Sequence, residues 1–265
     1  MTETSRERLR ATFTEDAELY DRARPGYPQQ LYDDLAELVP FGPGCRVLEL
    51  GCGTGQATVP LAATGSRITA VELGPEMARV ARRNLAAHPN AEVVVGAFEE
   101  WPLPPEPFDL VFAATSFHWI DPAVRITRAA DALRRSGLLA VVSTHHIKGG
   151  SEEFFAASQP VYERFDPATP PGLRLEPAAD IAPGGAEPAA SGRFGPARIR
   201  RYEWDLRYTT QEYLDVLRTY SGHRALPAPD REGLLAAIAG LIDTHHGGSI
   251  TKRYLTELMT AERIS

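Results

Sequence analysis

Apolar residues in this chain fall into short dense runs separated by stretches with helical spacing. Residues 46–50, Arg-Val-Leu-Glu-Leu, read as a buried strand closed by Gly51-Cys-Gly-Thr-Gly55. Residues 56–63 read as a helix, 67–72 as a second strand, and 75–87 as a second helix with Pro75 in its first turn. Residues 92–95 and 108–113 predict strands three and four, 122–135 a helix, and 137–143 strand five. Strand and helix alternating in this way predict a parallel sheet with helices on both faces. The strands are apolar almost throughout, as expected when both faces are covered. Ahead of them, Pro28 followed by Leu31, Leu35 and Leu38 has helical spacing, and Phe41-Gly-Pro-Gly44 forms a loop.

The pattern changes after Gly150. Residues 152–164 predict a helix, and residues 166–197, rich in Pro, Gly and Ala, predict a long excursion. Residues 199–208 alternate like a strand, 211–220 and 231–243 have helical spacing, and 250–258 predict a last strand paired with the one near residue 200. In an open sheet of this kind, ligands bind outside the carboxyl ends of the strands, near the point where the strand order reverses. The residues just after each strand are therefore the candidates for chemistry.

Composition narrows the function. The 265 residues suit one large domain, or one with an insertion. A formal charge of −7 argues against a nucleic-acid partner. Cys45 and Cys52 are the only cysteines, too few for a disulfide framework or a thiolate zinc site. No apolar core of a signal sequence shows in MTETSRERLR, and the longest apolar stretch, 234–242, is too short to span a bilayer. The expectation is a soluble, cytoplasmic protein with no membrane partner.

The sharpest local feature is the glycine run after the first strand. Dinucleotide-binding loops need G-x-G-x-x-G. Counting from Gly51 and Gly53, the third position is Gln56; counting from Gly53 and Gly55, it is Thr58, so both registers fail. This disfavours an NAD-dependent oxidoreductase. The spacing is G-x-G-x-G with Glu49 before it, and a carboxylate there suits a cationic ligand and repels a pyrophosphate. Glu72 ends the second strand about 20 residues beyond the loop, where an acid can bind ribose hydroxyls. An acid for ribose, with a loop lacking phosphate preference, points to a nucleoside bearing an amino-acid group, namely S-adenosylmethionine (SAM).

The run from Glu49 to Gly55, together with Glu72, resembles the class I SAM-dependent methyltransferases, in the branch acting on small molecules, such as trans-aconitate-type and menaquinone-type enzymes. The likeness covers roughly residues 15–145, with supporting matches at residues 20–28, 98–101 and 116–121. It implies an α/β fold, a Rossmann-like doubly wound, mostly parallel seven-stranded sheet with an antiparallel C-terminal strand and an inserted cap. It implies a helical lid at 1–40, a SAM-binding core at 41–150, a cap at 151–197, and the rest of the sheet with helices at 198–265.

The resemblance also assigns residues. Gly51, Gly53 and Gly55, with Cys52, Glu49 and Gln56, would surround the methionine portion, the glycines letting backbone approach. Glu72 would accept the ribose hydroxyls, Leu73 would pack on adenine with Met77 nearby, and Ala97 and Phe98 would hold the adenine edge. Many relatives carry an acid at the position of Ala97, and Glu99 is a possible substitute here. Thr115 and Ser116 would face the methionine portion, Tyr20 and Tyr27 would form a lid, and Arg22 would meet the cofactor carboxylate. The product would be S-adenosylhomocysteine.

On the acceptor side, His118 and His145 are candidate general bases, the alternative being hydrogen-bonded structural histidines. Phe117 and Trp119 suit a pocket wall, or ordinary core packing. Tyr220 and Arg224 on a later helix suit another wall, Arg224 or Arg218 holding an acidic acceptor unless they are solvated charges. The adjacent pairs His145-His146 and His245-His246 point to opposite faces if they lie on strands, so no metal site is expected. The expected function is methyl transfer to a small molecule by a monomer or homodimer. The alternative is a SAM-binding regulator or biosynthetic scaffold without methyl transfer.

Overall fold

The computed structural model describes residues 16–265. The opening decapeptide and the first part of the expected lid therefore lie outside the described residues. Seven strands form one sheet: β1 (Arg46–Leu50), β2 (Arg67–Glu72), β3 (Ala91–Val95), β4 (Phe108–Ala114), β5 (Leu133–His146), β6 (Arg198–Thr209) and β7 (Ser249–Glu262). Their order is β3-β2-β1-β4-β5-β7-β6. β1 pairs in parallel with β2 and β4, β2 with β3, and β4 with β5. The order thus reverses at β1, whose carboxyl end carries the glycine loop. β7 is antiparallel to β5: the Ser136 amide donates to the Arg263 carbonyl and the Ile147 amide to the Arg253 carbonyl. The expected fold class is the observed one.

The chain divides into two compact units. One comprises residues 25–144, 183–202 and 256–265. Within it, neighbours on β1 face opposite ways, Val47 into a cluster with Leu31, Leu35, Leu61 and Phe112, and Leu48 into another with Phe108, Val111, Ile126 and Leu139. This two-sided burial is why the strand reads as a continuous apolar run. The helix α2 (Gln29–Ala36) buries Leu31 and Leu35 completely. Its Asp34 accepts from the Tyr202 phenol at 2.6 Å and pairs with Arg200 at 2.8 Å, fastening α2 to β6.

The helices following the strands in this unit are α3 (Thr58–Ala62), α4 (Pro75–Asn84) and α5 (Arg125–Ala132), all shorter than the sequence predicts. The glycine loop takes up the first predicted turn of α3. α5 stops at Ala132 because Leu133 pairs with Phe108 and opens β5. A register shift follows between Phe108 and Leu110, with Ser136 left-handed at φ 59. A Cβ at Gly137 would lie 2.9 Å from the Arg134 carbonyl, so glycine suits that bend.

The described part of the other unit comprises residues 16–24, 145–182 and 203–255. It holds α1 (Ala17–Ala23), α6 (Glu152–Phe165), α8 (Thr210–Arg218), α9 (Ser221–Ala225) and α10 (Ala228–His245), packed around Phe154, Tyr213, Leu217, Leu234, Ile238 and Ile242. Thr209 and Glu212 form a capping box at the start of α8. Residues 151–182 belong to this unit, whereas 183–197, with the short helix α7 (Ala186–Ala190), belong to the other, where Glu187 pairs with Arg125 at 2.6 Å.

Candidate functional site

Beyond Leu50 the backbone turns left-handed three times, with φ of 67°, 59° and 98° at Gly51, Gly53 and Gly55. A side chain is strained there. At Gly51 it would also collide, since an added Cβ would lie 2.7 Å from the Ser116 Cβ. Ser116 is fixed in turn by donating its hydroxyl to the Leu50 carbonyl. Glu72 stitches the site together: its Oε2 accepts from the Gly53 amide at 2.9 Å and its Oε1 from the Gly74 amide at 2.8 Å.

Two apolar side chains stand half exposed beside this carboxylate. Leu73 is 38% exposed, and Val95, opposite Glu72 in the β2–β3 register, is 43% exposed. Sequence reasoning missed Val95 because a valine ending a strand looks like core. Across the loop, Thr115 follows β4 with φ of 53°, an uncommon conformation for a β-branched residue. The Thr115 hydroxyl bonds to the Tyr27 hydroxyl at 2.6 Å, and its amide donates to the Val142 carbonyl. Gln56 donates to the Thr54 hydroxyl at 2.6 Å. The Ala97 carbonyl accepts from the Glu100 and Trp101 amides, and Glu99 accepts from the Asp121 amide.

Several expectations need correction. Glu49 was expected to be an anion beside the loop, but it is 1% exposed, and burial, with repulsion from Glu72, pushes its pKa up to about 8. It is a neutral acid at pH 7, and its Oε2 has no hydrogen-bond partner. Cys52, Phe98 and Phe117 turn their side chains into the core clusters, and Met77 is buried on α4. All three side chains are under a tenth exposed, and the Arg125 guanidinium lies over the Phe117 ring at 5.2 Å. Tyr20 and Arg22 fall in the other unit from the glycine loop, where Arg22 donates to the Glu18 carbonyl.

His118 and Trp119 lie on a short 3₁₀ turn after β4, their ring centroids 4.8 Å apart. Partial desolvation, then the Arg125 charge, lowers the His118 pKa, so the imidazole is neutral at pH 7. In the other unit, His145 and His146 end β5. Burial pushes His146 down to about 2, and its Nε2 is buried without a partner. His146 lines a cavity of about 700 Å³ with Phe155, Tyr162, Leu173, Arg174 and Tyr213, within the usual range for small-molecule sites. Arg224, on α9, donates to the Arg218 carbonyl at the end of α8 at 2.8 Å, and Arg218 pairs with Asp215 within α8 at 3.0 Å. Tyr220 accepts from Lys252. No metal-ligating cluster occurs among the described residues, and no described helix is long and apolar enough to cross a membrane.

Comparison with known proteins places this geometry. Residues 47–137 match a family described as a methyltransferase domain. An uncharacterised methyltransferase of Mycobacterium tuberculosis is 38% identical over 138 residues, covering 52% of this chain and 54% of that protein. The chain spans about half the length of these curated relatives. A proposed type II methyltransferase from Anaeromyxobacter dehalogenans has a similar fold, with TM-score 0.62 and 24% identity, over 91% of this chain and 97% of that one. A Haemonchus contortus phospholethanolamine N-methyltransferase, solved with phosphomonomethylethanolamine and S-adenosylhomocysteine, aligns with TM-score 0.55 and 17% identity over 98% of this chain and 60% of that one. These two likenesses bear on the fold. The matched segment carries the glycine loop, Glu72 and Thr115, and is similar to a methyltransferase domain.

Proposed function

We propose that the protein is a SAM-dependent methyltransferase that moves a methyl group to a small-molecule acceptor by in-line displacement, working in the cytoplasm. The observation that carries this reading is the clamped Glu72 between the Gly53 and Gly74 amides, beside the side-chain-free loop. The residues fit the cofactor. The Glu72 carboxylate suits ribose hydroxyls, and half-exposed Leu73 and Val95 offer apolar surface to adenine. Gly51 and Gly53 leave the backbone open to the methionine portion. The orphaned Glu49 Oε2 adds an acceptor at the loop.

The chemistry that bound SAM supplies is an electrophilic methyl group on a sulfonium sulfur. The protein's own contribution is to position the acceptor and exclude water. Where the acceptor presents a hydroxyl or protonated amine, a base must take its proton. His118, neutral at pH 7 and set after β4, is our choice for that role, with His145 as the second candidate. Incubation with methyl-labelled SAM and a metabolite extract tests the proposal. A labelled small molecule is the expected result. SAM binding without any labelled product would favour a regulator or scaffold instead.

A further inference from the structure

We propose that the cavity walled by α6 and residues 169–181 is a binding site for an uncharged aromatic molecule. Its lining residues all fall in one compact unit, and its volume of about 700 Å³ suits a drug-sized ligand. On α6, Phe155, Ser158, Gln159 and Tyr162 have the spacing that puts them on one helix face, and all four line the cavity. Phe155 and Tyr162 are half-buried. The segment opposite supplies Leu173, Leu175 and Ile181, and Leu173 is 53% exposed. A leucine left in water beside an aromatic wall is apolar surface that an apolar occupant would cover.

The wall favours rings. His146 and Phe155 meet edge to face, with centroids 4.4 Å apart and planes at 72°, and Phe155 meets Tyr213 at 6.4 Å and 72°. A flat ring joining such a set gains edge-to-face and offset contacts beyond the area it buries.

The wall does not favour ions. Two cations, Lys148 and Arg174, and two carboxylates, Glu152 and Glu176, line the cavity, so their charges cancel. All four are exposed, and Lys148 pairs with Glu152 at 3.9 Å. Burial keeps the His146 imidazole neutral. An ion entering here would shed hydration with no buried countercharge to replace it. The other polar groups are spent within the protein. The Ser158 hydroxyl donates to the Phe155 carbonyl at 3.0 Å, and the Gln159 amide nitrogen donates to Glu163 at 3.1 Å and to the Pro170 carbonyl at 3.0 Å. The Tyr162 hydroxyl bonds to His223 at 3.2 Å. Among the lining residues described, His146 Nε2 alone is a buried side-chain polar atom without a partner, and a neutral ring nitrogen selects no charge.

Calorimetric titration of the full chain at pH 7 with naphthol, naphthoate, naphthylmethylammonium and the saturated ring decalol tests the site. Naphthol should bind saturably at one site, tenfold or more tighter than either ion and severalfold tighter than decalol. Ala156→Trp, which fills the cavity from α6, and Leu173→Asp, which sets a carboxylate in the apolar wall, should each weaken naphthol tenfold or more. Both replace exposed residues, so each variant should melt with the parent when no ligand is present. No saturable naphthol binding, an ion or decalol bound as tightly, or undiminished affinity in either variant would each overturn the proposal. Binding here asks nothing of the transfer reading above: the titrations contain no SAM, and their outcome leaves that reading as it stands.

Discussion

At the scale of single residues, Glu72 does two things at once. It presents acceptor oxygens and it holds Gly53 and Gly74 in place. Glu72→Ala should therefore weaken SAM binding by about 1.5–3 kcal/mol, the usual cost of losing hydrogen bonds to a charged acceptor. Calorimetry checks this, and unchanged affinity would remove Glu72 from the cofactor site. Gly53→Val should abolish SAM binding, because a β-branched residue is strained at φ of 59°. A variant that binds normally would show that the loop lies elsewhere than in the cofactor cradle.

Glu49 gives a pH signature. Its folded pKa, about 8, lies above the ordinary value of 4.5. The folded state then holds the proton more tightly than the unfolded state, so stability is fully present below pH 4.5 and is lost as pH rises through about 8. Glu49→Gln should flatten that loss. Urea unfolding at pH 6 and pH 9 measures it, and parallel declines in parent and variant would refute the buried neutral acid. The presence of Glu49 before the loop was legible in the sequence, but its charge was not. Protonation depends on how completely the two helix layers close over β1, a property no single residue encodes. The same holds for Phe98 and Phe117, whose types suit a pocket wall or a core equally well.

Elements were more legible than residues, because local periodicity needs no long-range information. The strand–helix alternation from 46 to 143 survived, with the glycine loop at the carboxyl end of β1. The lengths of β5 and β7 did not follow from the pattern, since each is extended by pairing with a partner more than a hundred residues away. The polar run Arg134-Arg135-Ser136 reads as a helix end, yet it lies in β5. Between elements, the hydroxyl pair Tyr27–Thr115 ties the segment before α2 to the end of β4. Tyr27→Phe should cost about 0.5–1.5 kcal/mol of stability, the net value of one hydrogen bond. Chemical denaturation measures the loss, and a variant as stable as the parent would show that the contact contributes nothing.

For the whole molecule, the sequence pointed to a cofactor half with more certainty than to an acceptor half, and the structure shows the physical reason. The residues proposed to hold the cofactor are consecutive ones at strand ends, so they leave a motif. The cavity beside His146 gathers residues from 146 to 213, and leaves no spacing to read. The division of residues 151–197 between two compact units was likewise invisible to composition, which registers only that the segment is rich in Pro, Gly and Ala.

The measurement that bears most directly on the central claim is a calorimetric titration of the purified chain with SAM, repeated with NADH. Saturable one-to-one binding of SAM, absent in Gly53→Val, with no heat from NADH, is the predicted result. Tight NADH binding, or no SAM binding at saturating concentration, would contradict it.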